Sequence, residues 1–179
     1  MGYPAFSQGE VFKSTDANAI GLWLVKTQTV GSAVTSVVVT NAFSSDYLNY
    51  RVTLSGIQPT ATDSFRLMLG TGATNGHYGS MYYDLYTGAG TGTLRANNAA
   101  SFYVALNEGT TTTSQASFDI MAPNAARTTA VHGTWFGRGY AGWFGGHNST
   151  ATQFTSFTLL TDGAGTMTGG TISVYGYKA

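Results

Sequence analysis

From Leu22 onward, apolar and polar residues alternate in short runs rather than along helical faces. The clearest run sets Tyr50, Val52 and Leu54 against Arg51, Thr53 and Ser55, the period of two that marks a half-buried strand. Comparable runs occupy 22–30, 34–40, 65–69, 81–86, 101–106, 115–121, 128–136, 140–144, 153–160 and 171–177. Gly, Asn, Asp, Ser or Pro bounds each of them, as strand ends require. Short strands in this number, with no helical spacers between them, predict an all-β fold: an antiparallel β-sandwich of jelly-roll type over 22–179. Glycine-rich segments at 70–76, 88–92 and 163–170 read as hairpin turns.

Residues 1–21 break the pattern. Gly2, Pro4 and Gly9 punctuate an extended arm whose apolar anchors are Tyr3, Phe6 and Phe12. A short helix is expected over 14–20, capped by Ser14 or Thr15, with Asp16 in the first turn and Gly21 as its stop. Such an arm docks on its own domain or on a neighbour.

Composition changes the picture through charge. Only 9% of the residues are charged, and the net charge is zero, against about 25% charged in an ordinary soluble domain. Nucleic-acid binding needs a basic excess, so it is excluded. Gly, Thr and Ser instead make up more than a third of the chain. A surface of hydroxyls and glycines has little charge to hold copies apart, and neutral surfaces associate. The expectation is a β-protein that works in an assembly. With no cysteine, disulfides and thiolate metal sites are excluded. No apolar run is long enough for a membrane-spanning helix, and the opening residues lack the basic-then-apolar pattern of a secretory leader.

Little in the chain points to catalysis. The carboxylates Glu10, Asp16, Asp46, Asp63, Asp84, Glu108, Asp119 and Asp162 are scattered, mostly in turn contexts. A glycosidase pair would have to be assembled by the fold. His77, His132 and His147 lack metal-ligand spacing, although His132 and His147 flank one hairpin and could meet there. No nucleophile elbow or phosphate loop is present. The chain is therefore expected to be no enzyme, with no catalytic residue, cofactor or metal.

The richest segment is that same hairpin, 132–147. Gly137, Arg138 and Gly139 read as a tight turn. On a period of two, Trp135 falls opposite in sense to Phe136, and Tyr140 and Phe144 fall opposite to Trp143. Aromatic residues therefore occupy both faces. One face is core, and the other meets a partner subunit, a neighbouring protein or a sugar, whose apolar C–H faces suit aromatic rings. Tyr78, Tyr82, Tyr83 and Tyr86 form a second aromatic group.

The order of these pieces resembles the tail-fibre and attachment proteins of tailed-bacteriophage virions. Phe6 to Phe12 followed by Thr15-Asp16-Ala17-Asn18 is similar to a short N-terminal element of those proteins. Leu22 to Val25, Asp46 to Val52, Arg66 to Gly70 and the closing run Gly170 to Lys178 are similar to their β-sandwich domain. The resemblance implies a virion protein, assembled in the bacterial cytoplasm, commonly a homotrimer. It would contact other virion proteins and a host-surface glycan, with the arm as the docking element. Tail-fibre or tail-tip attachment is the first expectation, head decoration the alternative, and glycan depolymerisation a distant third.

Overall fold

Thirteen strands are present in a computed structural model that describes residues 21–85, 90–107, 112–137 and 139–177. They are β1 (Leu22–Thr29), β2 (Ser36–Val39), β3 (Asn49–Pro59), β4 (Asp63–Leu69), β5 (His77–Leu85), β6 (Gly90–Ala99) and β7 (Phe102–Asn107). β8 (Ser114–Met121), β9 (Thr129–Gly137), β10 (Tyr140–Asn148), β11 (Phe157–Thr161), β12 (Met167–Thr168) and β13 (Thr171–Tyr177) complete the set. All the pairings are antiparallel. The large sheet runs β1-β13-β3-β8-β9-β10-β5-β6, with β12 added to β3, and the small sheet runs β2-β11-β4-β7. The expected arm and helix, including Tyr3, Phe6 and Phe12, lie outside the described residues.

The alternation along β3 organises the molecule. Tyr50, Val52 and Leu54 turn inward and are buried, while Arg51 and Thr53 face out. β8 and β13 continue the inward row with Phe118, Ile120, Ile172 and Val174. The small sheet meets this layer with Phe65, Leu67 and Leu69 from β4 and Phe157 and Leu159 from β11, all fully buried. The chain crosses repeatedly between layers, from β1 to β2 to β3 to β4 to β5, from β6 to β7 to β8, and from β10 to β11 to β12. Two segments expected as hairpin turns are such crossings: 70–76 joins β4 to β5, and 163–170 joins β11 to β13 by way of β12.

β6 was not expected as a strand. Its glycines and asparagines read locally as turn, but pairing with β5 holds it extended. Gly92 lies opposite Tyr83 with the tyrosine ring against it, so any Cβ there would collide with the ring. β3 carries a bulge between Leu54 and Ile57 at Gly56. Gly170, at φ 81°, packs against it, and a Cβ would stand 2.6 Å from the carbonyl carbon of Gly56 and the nitrogen of Ile57.

His77 is fully buried at the start of β5. Its Nε2 accepts from the Leu69 N–H at 3.3 Å and its Nδ1 donates to the Ala99 carbonyl at 3.1 Å, a tautomer assigned from these partners. Phe102 of β7 packs edge-on against the ring. One imidazole thus ties β4, β5, β6 and β7 together. Burial, helped by the Arg66 charge, holds it below the ordinary 6.5, against the pull of its backbone hydrogen bonds.

Two predictions follow from this packing. Gly170→Ala combines left-handed strain with overpacking and should cost about 2–4 kcal/mol in denaturant unfolding; a cost under about 1 kcal/mol contradicts the packed bulge. For His77, the unfolded chain binds the proton more readily than the folded one. Stability should therefore fall as pH drops below 6.5. Unfolding midpoints measured between about pH 7 and pH 5 should show this slope, and His77→Gln should flatten it.

Candidate functional site

The β9–β10 hairpin closes as expected, with Gly137 paired to Tyr140 and a two-residue connection whose Gly139 has φ 80°. Arg138 lies outside the described residues. Trp135 faces Gly142 across the pair, Thr134 faces Trp143, and Gly133 faces Phe144. The two aromatic sets separate cleanly. Trp135 and Phe144 point inward, 4% and 2% exposed, and Tyr140 packs half-buried beside them. Phe136 and Trp143 point outward, 48% and 54% exposed.

Glycines make the inward packing possible. A Cβ at Gly142 would strike the Tyr82 carbonyl and crowd the Trp135 ring, and one at Gly133 would strike Phe118. Phe118 in turn meets Phe144 edge-on at 5.5 Å. The Trp135 Nε1 is buried without a hydrogen-bond partner, a cost the burial of its ring has to exceed.

The outward face of β5, β10 and β9 presents rings over small residues. Tyr82 of β5 stacks on Trp143 at 5.9 Å, with planes 21° apart. Tyr78 stacks on His147 at 5.4 Å, with planes 15° apart. Phe136 stands on β9 beside Thr134. Of the second aromatic group, Tyr78 and Tyr82 join this face, Tyr83 packs inward against Tyr140, and Tyr86 lies outside the described residues. The sequence does not point to Tyr78 and Tyr82 as site residues, and points to His147 only as a possible neighbour of His132. The spacing of Tyr78 and Tyr82, four apart on one strand, was the available signal.

Toward β13 the same face becomes polar. Ser173, Thr53, Ser117 and Thr134 sit side by side in register with Trp143 and Tyr82. In the next row Arg51 donates to Asp119 through Nε at 2.9 Å and a terminal nitrogen at 2.8 Å, and the Tyr177 hydroxyl donates to the same carboxylate at 2.6 Å. Burial pushes the Asp119 carboxyl up, but the hydrogen bonds and charge of Arg51 and the bond from Tyr177 outweigh it and hold it below its ordinary range. The cluster fastens β13, β3 and β8 together.

His132 and His147 do not meet as the hairpin suggested. His132 pairs with Gly145 and His147 with Ala130. His132 lies 4.0 Å from Asp119, and His147 stacks on Tyr78. Among the described residues no group of His, Asp and Glu is arranged to hold a metal ion. Asp63 accepts from the Gly163 N–H, and Asp162 pairs with Arg66 at 2.6 Å.

Neither a protein-family model nor a curated protein matches the sequence.

The two tryptophans should separate sharply on substitution. Trp135→Ala should cost about 3–5 kcal/mol by leaving a core cavity. Trp143→Ala loses only an exposed stack and should cost less than about 1 kcal/mol. Equal costs in chemical denaturation would contradict the assignment of inward and outward faces.

Proposed function

We propose that this chain is a structural protein of a bacteriophage virion, a trimeric tail-fibre or tail-tip component that attaches the particle to its host. The sandwich is of jelly-roll type in this reading, and its repeated crossings between layers support that. The observation that carries the function is the outward aromatic face of β5, β10 and β9. Trp143 and Phe136 stand about half exposed there, in a chain of which only 9% is charged. Exposed apolar surface of this kind marks contact sites. Trp135 and Phe144 serve the fold; Phe136 and Trp143 serve the contact, with Tyr140 between them at the hairpin end.

The resemblance in the order of sequence elements supports the virion setting. The low charge supports a particle in which neighbouring copies cover part of the surface. The arm carrying Tyr3, Phe6 and Phe12 docks the chain to other virion proteins. The reading involves no catalysis, cofactor, metal, nucleic acid or membrane insertion. Localisation is the virion.

Purified protein should compete with phage for host cells and lower adsorption. It should run as a trimer by light scattering at micromolar concentration. Quantitation of purified particles should give a few to a few dozen copies, whereas hundreds per particle would replace tail attachment with head decoration. Adsorption unaffected by saturating protein would overturn the attachment role.

A further inference from the structure

Between the two aromatic stacks of the outward face lies a groove. Trp143 and His147 are four residues apart on β10, as Tyr78 and Tyr82 are on β5. The stacks therefore stand about 13 Å apart along the strands, at ~3.3 Å per residue. The outward positions between them on these strands are Gly145 and Ser80, directly paired. Gly79 and Gly146 follow in the next pair, also without bulk. The groove is lined by Ser80, Gly145, Tyr78, His147, Arg95 and Asn97. Phe102 supports its floor from below, close enough that a Cβ on Gly146 would stand 3.0 Å from its ring.

The groove is electrostatically one-sided. Arg95 of β6 pairs with Ser80 and lines one side. Among the described residues it has no ion-pair partner, while Arg51 and Arg66 are each committed to an aspartate. His132 stands opposite Gly145 on the other side, and His147 closes one end. Among the described residues no carboxylate lines the groove, although two stand on the same face. Asp119 is held by Arg51 and Tyr177. Asp84 pairs with Ala141 and Thr91, beyond the Tyr82–Trp143 stack.

We propose that this groove is a subsite for a carboxylate-bearing pyranose ring, a uronic or sialic acid residue of a polysaccharide. The Tyr78–His147 stack borders the groove at one end, and its rings offer apolar surface suited to the C–H faces of sugars. Ser80 and Asn97 offer hydrogen bonds to hydroxyls around the ring edge. Arg95 offers a planar fork of donors to the carboxylate. Polar groups converging on a shallow groove beside an aromatic stack are what orient a small ligand here. Nucleobases also stack on aromatic rings, but a nucleic acid chain needs a basic track for its phosphates, and Arg95 stands alone here. The inference deepens the attachment reading and rests on it for where such a sugar is met, namely the host envelope.

The test titrates the full chain with oligosaccharides of glucuronic, galacturonic and sialic acid, and with the same compounds after reduction of the carboxyl to the alcohol. At least one acidic compound should bind, and carboxyl reduction should weaken it by about tenfold or more. Arg95→Gln should give a similar loss. Gly145→Leu should abolish binding by filling the groove. This variant is expected to fold, because a Cβ at Gly145 meets only ordinary contacts, at 3.7 Å or beyond. Absence of binding by every acidic compound up to about 10 mM overturns the subsite. So does equal affinity for acidic and reduced forms, or unchanged binding by folded Gly145→Leu. Adsorption competition separates the two claims. If wild type and both variants compete equally, the subsite falls and attachment stands. If the acidic sugar binds but adsorption is untouched, attachment falls and the subsite stands.

Discussion

The structure depends on a mismatch between its layers: a four-stranded sheet covers one face of a sheet twice as wide. Side chains of the large sheet must alternate in and out, and only the inward set can be buried. Tyr50, Phe118, Phe144 and Trp135 meet that demand from four neighbouring strands. The outward set is left to water or to a partner. On β13, β3 and β8 it is mostly polar, with hydroxyls and one ion-pair cluster. On β9, β10 and β5 it consists of aromatic rings set among small and polar residues such as Ala141, Gly145, Ser80 and Thr134. The same pleat thus yields a core on one side and an exposed face bearing aromatic rings on the other.

Glycine does different work at the two ends of this arrangement. At Gly56 and Gly170 it lets a bulged strand and its neighbour pack back to back. At Gly133 and Gly142 it leaves room for inward rings that would otherwise meet side chains or backbone. At Gly145 it does neither, since a Cβ there meets nothing closely. An outward glycine with space around it keeps the surface low between two aromatic stacks. The glycine-rich composition is therefore both a packing requirement and a means of shaping the surface.

The strands with strict alternation were legible from the sequence. β3, β8 and β13 stand close to where their apolar periodicity put them. β6 was not legible, because Gly90, Gly92, Asn97 and Asn98 are turn residues by local preference and are held extended by pairing with β5. The aromatic hairpin was legible as two-faced but not as to which face is buried. Period two assigns residues to faces without saying which is inside. That is decided by which face the small sheet covers, and Trp135 and Phe144 share one core with its Phe65, Phe102 and Phe157. The groove was not legible at all. Ser80, Arg95, Gly145 and His147 come from three strands, and only the register of β6, β5 and β10 brings them together. Residues 1–20, on which part of the resemblance to virion proteins rests, lie outside the described residues.

The central claim is that the outward rings of β5, β10 and β9 form a working contact face, with the inward rings serving the core. Oxidative footprinting of the free protein and of the protein bound to host cells reads both halves together. The account predicts that Trp143, Phe136 and Tyr82 are oxidised in the free protein and protected on cells, while Trp135 and Phe144 stay protected in both. Oxidation of Trp143 that is unchanged on cells to which the protein demonstrably adheres would contradict it.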